Sequence, residues 1–237
     1  MTGELRALGL AHGLLLGLLL ASPWIAPDLL PWAVEMLFVL GGFQLRLADR
    51  RWDMRGGMAG WVSHIRMAPR RLIPWGAAAV VALIAGTPDR AQAIAAAALL
   101  CELLLYPVCT HLLGRLSRPV VALLLLVLIA GNGTAGSEVM RYVLAFVTGV
   151  GACLFWLRGP DGEARALILS LAGATIAAAA PMLAPMLLPF AFALGAVCLT
   201  LALAHLSILR RRPLPWRLAG TPAPHRRALW QTPPRPS

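Results

Sequence analysis

Charged residues are scarce in this chain of 237 residues, where they make up 13% of the sequence. A soluble domain carries about 25%. Hydrophobic residues make up 59%, and they come in blocks of roughly 20, the length that crosses a hydrocarbon core of about 30 Å. These proportions exclude an ordinary soluble domain and predict an all-α fold, a polytopic bundle of transmembrane helices.

Lysine is absent, so all 21 basic residues are arginine, and the formal net charge is +11. The arginines flank the apolar blocks instead of forming a soluble basic face, which argues against nucleic acid as a partner. Arginines in this arrangement set the orientation of spans and attract anionic headgroups. We therefore expect membrane lipids as partners.

Cysteine is equally sparse, and none of the four forms a CxxC pair or a zinc-ligand spacing. They are Cys101, Cys109, Cys153 and Cys198. Their positions inside apolar segments predict buried free thiols and argue against a disulfide framework.

Apolar segments predict about eight membrane spans, or seven if the short fifth segment is re-entrant. They cover 8–26, 30–47, 72–87, 91–113, 119–131, 138–157, 166–184 and 186–209. If both termini are cytoplasmic, only Arg90 and Arg141 lie on the outer side. This asymmetry predicts cytoplasmic termini for a multi-pass protein of the inner membrane. The first segment also has features of a signal peptide, but it lacks a small-x-small cleavage site.

The membrane domain is predicted to cover residues 1–209. Two stretches of the chain lie outside the predicted spans. Residues 48–71 form a cytoplasmic connection, read either as an interfacial helix or as an irregular loop anchored by tryptophans. Residues 210–237 are rich in arginine and proline and are predicted to be a mobile cytoplasmic tail.

Two glutamates fall inside predicted spans, where a carboxylate costs roughly 2.5–3.5 kcal/mol on insertion scales. Glu102 lies near the centre of the fourth span, and Tyr106 and Thr110 follow on the same helical face. One interpretation is a proton-linked or substrate-binding carboxylate. The other is a protonated packing residue. Glu35 lies near the predicted outer end of the second span.

Four methionines also come near predicted outer ends, and thioethers are soft ligands suited to Cu(I). They are Met36, Met140, Met182 and Met186. Together with Glu35 they suggest a site for transient copper binding. The alternative is that these methionines fill space in apolar helices.

Three histidines lie toward the inner ends of predicted spans, namely His12, His111 and His205. Haem ligation by two imidazoles needs facing rings at matched depth, and the spacing here does not require this. Packing or interface roles are the simpler interpretation.

Several dipeptides resemble, in order and spacing, those of the CtaG-type cytochrome c oxidase assembly family. In that family a Ser-Pro pair is followed about thirteen residues later by His-Met-x-x-x-His, and later segments carry Arg-Pro and Phe-Trp. The matching pairs here are Ser22-Pro23, Glu35-Met36, Arg118-Pro119 and Phe155-Trp156. The resemblance implies a polytopic accessory protein linked to copper delivery, with respiratory oxidase subunits as partners.

The histidines of that family are replaced in this chain. Glu35 and about Val39 take the first two histidine positions, and about Arg141 and Ala145 take the later ones. A carboxylate is a harder ligand than imidazole and a poorer one for Cu(I). The resemblance therefore implies a divergent member whose copper handling is lost or reassigned to methionines.

Two functions follow as hypotheses. The first is a non-enzymatic accessory protein of oxidase assembly or copper handling. The second is a permease or transporter subunit for a small solute that uses Glu102. An enzyme acting on lipid is the weakest alternative, because no paired carboxylates, nucleophile or phosphate-binding cluster is visible.

Overall fold

A computed structural model describes residues 4–25, 30–49, 57–159 and 164–209. Helices occupy nearly all of these ranges, which contain no strand, and this confirms the predicted all-helical class. The α-helices are α1 (Glu4–Ile25), α2 (Leu30–Ala48), α3 (Gly57–Ile84), α4 (Pro88–Leu99), α5 (Tyr106–Leu113), α6 (Arg118–Thr134), α7 (Glu138–Leu157), α8 (Ala164–Leu183) and α9 (Leu188–Leu209). The predicted tail, 210–237, lies outside the described residues.

Six helical segments are long and apolar enough to cross a membrane. They are Leu30–Ala48, His64–Ile84, Pro88–Leu113, Glu138–Leu157, Ala164–Leu183 and Pro185–Leu206. Two further apolar segments, Gly9–Leu19 in α1 and Arg118–Thr134, are shorter. The architecture is compatible with an integral, multi-pass membrane protein. The number of eight spans and the cytoplasmic location of the termini stay predictions.

The exterior of the bundle is strongly apolar, most clearly on α8. Ile168, Leu169 and Ile176 point outward, although each would be expected in the interior of a soluble protein. Contiguous apolar surface of this kind marks contact with lipid or protein. The surface therefore agrees with the hydropathy of the sequence.

Helix α3 begins earlier than the predicted third span, which was placed at 72–87. It runs without a break from Gly57 to Ile84, even though Pro69 and Pro74 lie inside it. Residues 57–71, the larger part of the predicted connection 48–71, therefore belong to this helix, and Arg71 lies within the candidate span. Residues 50–56 lie outside the described ranges, and the interfacial location of the connection stays a prediction.

Helix α7 lies at the centre of the bundle, packed against α2, α4, α5, α6 and α9. Its contact with α2 is close because Gly42 and Gly149 bring the two backbones together. A methyl group at Gly42 would overlap the Phe146 carbonyl, and one at Gly149 would overlap the Val39 carbonyl. Small residues allow this approach in membrane bundles, where dispersion contacts replace much of the hydrophobic driving force.

The last two helices join at a tight break in a stretch with three prolines, Pro181, Pro185 and Pro189. Helix α8 ends at Leu183, and a short 3₁₀ turn, Pro185–Leu187, leads directly into α9. The fixed φ of proline and its missing N–H explain why the chain turns here.

Candidate functional site

The fourth span changes its hydrogen-bonding pattern where it carries Glu102. Residues Leu100–Leu105 form a π-helical segment between α4 and α5, and the Tyr106 N–H donates to the Cys101 carbonyl, five residues earlier. Pro107 follows at once and has no N–H to donate to the preceding turn. The segment therefore leaves carbonyl groups without their usual partner inside the helix.

Helix α3 supplies donors to these carbonyls. His64 Nε2 lies 2.7 Å from the Glu102 carbonyl oxygen, and Trp61 Nε1 donates to the Leu103 carbonyl oxygen at 3.1 Å. Because a carbonyl can only accept, His64 must carry a proton on Nε2 in this contact. In the neutral imidazole this leaves Nδ1 as an acceptor.

The buried Glu102 carboxylate forms an ion pair with the partly buried Arg71 of α3. Arg71 Nε donates to Glu102 Oε2 at 2.9 Å. Its Nη2 lies 3.1 Å from His64 Nδ1 and donates to the His64 carbonyl oxygen at 2.9 Å. His64 thus fixes the guanidinium, and the guanidinium neutralises the carboxylate, which is buried.

Aromatic side chains enclose this pair. The Trp75 side chain lies near the Glu102 side chain. Tyr106 was predicted to share the helical face of Glu102. It is buried and stacks on the His64 ring at 5.1 Å between centroids. The hydrogen bond to the carboxylate comes from Arg71. We call Glu102, Arg71, His64, Trp75 and Tyr106 the Glu102 cluster.

A second buried pair involves Glu35, near the start of α2. Asn132 Nδ2 donates to Glu35 Oε1 at 2.7 Å, and Arg141 Nη2 donates to Oε2 at 2.5 Å. The Arg141 guanidinium also lies 5.0 Å from the centroid of the Trp32 ring. Because α2 and α7 begin here and α6 ends here, the pair lies near one end of the bundle.

The contacts of Glu35 do not fit a metal ligand. Both of its oxygens accept hydrogen bonds, so a metal ion would have to displace Asn132 or Arg141. Among the described residues, no group of three histidine, cysteine, aspartate or glutamate side chains could hold a metal. We therefore derive no copper chemistry from this carboxylate.

The structure places most of the four candidate methionines on the exterior. Met36 packs against the core, whereas Met140, Met182 and Met186 are 51%, 88% and 81% exposed. The outward-facing thioethers are in the position expected of lipid-facing side chains. The methionine site for copper remains a prediction from sequence.

The three histidines of the sequence analysis have different surroundings. His12 is hydrogen-bonded to Gln44, and the buried His205 meets the Trp156 ring edge-on at 6.5 Å. His111 is exposed near the end of α5. These contacts agree with packing roles for His12 and His205.

Sequence reasoning missed the partners of both glutamates, Arg71 and His64 for Glu102 and Arg141 and Asn132 for Glu35. One signal was present, because a carboxylate inside a span calls for a nearby cation. Arg141 was one of only two arginines assigned to the outer side, the same side as Glu35.

No family model, curated protein or solved structure matches this chain. The class that fold and site define is an all-helical bundle, compatible with an integral membrane protein, that contains two buried glutamate–arginine pairs.

Proposed function

We propose that this protein is a permease or transporter subunit that couples the movement of a small solute to protonation of Glu102. The observation that supports this is the position of Glu102, a buried carboxylate at a π-helical segment of a candidate span, paired with an arginine of another. Ionisable residues inside a membrane are rare and costly, and they mark substrate pathways and proton relays.

The energetics of the Glu102–Arg71 pair also favour a functional role over a purely stabilising one. A buried ion pair adds little stability compared with apolar residues of the same volume, because desolvation offsets the Coulombic attraction. Interrupted helices with π-helical turns recur at functional sites. Glu102 and Pro107 in one span and Arg71 in another carry energetic costs that purely structural helices avoid.

Protonation would give the cluster two arrangements. With Glu102 ionised, its carboxylate holds Arg71. With Glu102 neutral, Arg71 loses its counter-ion and needs another partner. A proton arriving at Glu102 therefore changes which ligand Arg71 binds, which is the requirement for coupling.

The test uses purified protein in liposomes that contain a pH-sensitive dye. A panel of amino acids, sugars, organic acids and inorganic ions is added outside under an imposed pH gradient. We expect at least one addition to trigger proton entry with the unmodified protein and not with Glu102→Gln, because glutamine keeps the shape but cannot bind the proton.

Glu138→Gln is the matched control, since Glu138 also pairs with an arginine, Arg90, at 2.9 Å, but at a partly exposed site. This variant should keep proton entry. Proton entry that is unchanged in Glu102→Gln, or absent for the whole panel, would contradict the proposal.

An accessory role in oxidase assembly at the inner membrane is the second candidate. It depends on the dipeptides shared with the CtaG-type family and on Glu35, which stands where that family has a histidine. Oxidase subunits would be the partners, and copper handling would use methionines. A strain without the protein should then lose oxidase activity and regain part of it with added copper. Normal oxidase activity in that strain would exclude this candidate.

A further inference from the structure

We infer that the transported solute is a small monovalent anion, which binds Arg71 in place of the Glu102 carboxylate when that carboxylate is protonated. This inference rests on the proposed function and adds the substrate class. It follows from the charge balance of the pair and from the donors that surround it.

The charge balance favours an anion over other solutes. The ionised pair is neutral, and one proton on Glu102 raises its charge to +1, because arginine stays protonated in proteins. An unpaired charge in a buried site costs several kcal/mol. One monovalent anion restores neutrality, whereas a neutral solute leaves the charge unpaired and a cation increases it. Proton and anion together would move as a neutral pair.

The donors around the carboxylate are suited to an anion. Arg71 Nε donates to Glu102 Oε2 and the Trp75 side chain lies near the same carboxylate, and a planar guanidinium binds carboxylate-like groups through parallel N–H bonds. These are the donors that a second anion would take over. In the structure, the Glu102 carboxylate occupies the position beside Arg71 that the anion would take.

Arg71 is held in position independently of Glu102. Its Nη2 donates to the His64 carbonyl oxygen at 2.9 Å and lies 3.1 Å from His64 Nδ1. When Glu102 is protonated, these contacts keep the guanidinium in the site. An incoming anion therefore meets a fixed binding group instead of a freely moving side chain.

Several groups face Glu102 and bear on its protonation. They are Arg71 and His64 from α3, the more distant Asp49 after α2, and Cys101 in its own segment. From α7, the neutral Phe146 ring meets Tyr106 of the Glu102 cluster edge-on, at 6.4 Å. Arg46, one turn before Asp49, also acts on Tyr106, so its positive charge offsets the negative charge of Asp49. Arg71 is the positive group in direct contact with Glu102, so loss of the Glu102 charge leaves a net positive site.

The probe is methanesulfonate, a small monovalent anion that stays charged at every pH used, and dimethyl sulfone is its neutral control. Binding to the purified full chain is measured by calorimetry. We expect Glu102→Gln to bind methanesulfonate about 5- to 150-fold more tightly than the unmodified protein at neutral pH, the usual range of coupling between two sites. Dimethyl sulfone should bind neither protein.

Two further measurements keep the inference testable. Affinity of the unmodified protein should rise as the pH falls, whereas that of Glu102→Gln should stay constant. Adding Arg71→Gln to Glu102→Gln should remove the binding. Equal affinity in the unmodified protein and Glu102→Gln, or binding that survives loss of Arg71, would overturn the inference.

The two proposals can fail separately. Coupled transport is judged by proton entry, which Glu102→Gln should abolish. Anion binding is judged by calorimetry, where the same variant should strengthen the interaction. If the protein moves protons together with a neutral solute, the inference of an anionic substrate is refuted and the proposed transport function stands.

Discussion

Replacing Arg71 by methionine should destabilise the protein by about 3–5 kcal/mol, the range measured when one partner of a buried ion pair is removed. Methionine has a similar length but no charge, so the Glu102 carboxylate would lose the Nε–H donor at 2.9 Å. His64 would lose its contacts with the guanidinium as well. The free energy of unfolding is measured by denaturant titration in mixed micelles.

The double variant Arg71→Met/Glu102→Gln identifies the cause. It leaves no carboxylate at position 102, so it should recover most of the stability that the single variant loses. Arg90→Met is a second control, because Arg90 is as exposed as Arg71, but its partner Glu138 is 35% exposed at the side chain and Glu102 only 4%. Exposed pairs are worth about 0.2–1 kcal/mol. A double variant as unstable as the single one would mean that Arg71 acts through packing and not through its charge.

Hydropathy was sufficient to locate the helices. In a membrane, an apolar block of about 20 residues must pair its backbone N–H and C=O groups within the block, and a helix does this. Every predicted span coincides with a helix to within a few residues, apart from the start of α3. The same reasoning identified Glu102 as a candidate functional residue, since a single carboxylate in an apolar segment needs a partner. These inferences used only local sequence.

The continuity of α3 before residue 72 was not predicted, and this stretch was read as an interfacial helix or a loop, because residues 57–71 contain three arginines and Pro69. Hydropathy treats such a stretch as a connection. In the structure, Trp61, His64 and Arg71 instead face the Glu102 segment, where they bind two carbonyls and a carboxylate. Their place in the bundle depends on the helix pairing, which a single sequence does not contain.

The partners of Glu35 could not be predicted for the same reason. The sequence placed Glu35 near methionines by depth alone, and depth does not determine which side of a helix faces which neighbour. The contact between α2 and α7 brings Arg141 to Glu35, and a cation satisfies a buried carboxylate far better than a thioether does. Pairing α2 with α7 was therefore the missing step.

That pairing can be tested, because Gly149→Leu should prevent recovery of folded protein. A side chain at position 149 points into the backbone of α2, where even a methyl group would overlap the Val39 carbonyl. Leucine would push the two helices apart, separate Arg141 from Glu35 and open the core around Phe38 and Phe146. Overpacking usually costs about 1–3 kcal/mol, but here the obstacle is backbone, which cannot change rotamer.

Gly76→Leu is the matched control, since Gly76 lies inside α3 with no atom within 4 Å of an added Cβ. It makes the same chemical change at an exposed position, where leucine also favours the helix over glycine by up to about 1 kcal/mol. Yield and monodispersity after extraction, together with helical content by circular dichroism, are compared for both variants. We expect Gly76→Leu to match the unmodified protein and Gly149→Leu to aggregate. A monodisperse, fully helical Gly149→Leu would show that α2 and α7 do not approach each other through Gly149, and the contact between Arg141 and Glu35 would lose its structural basis.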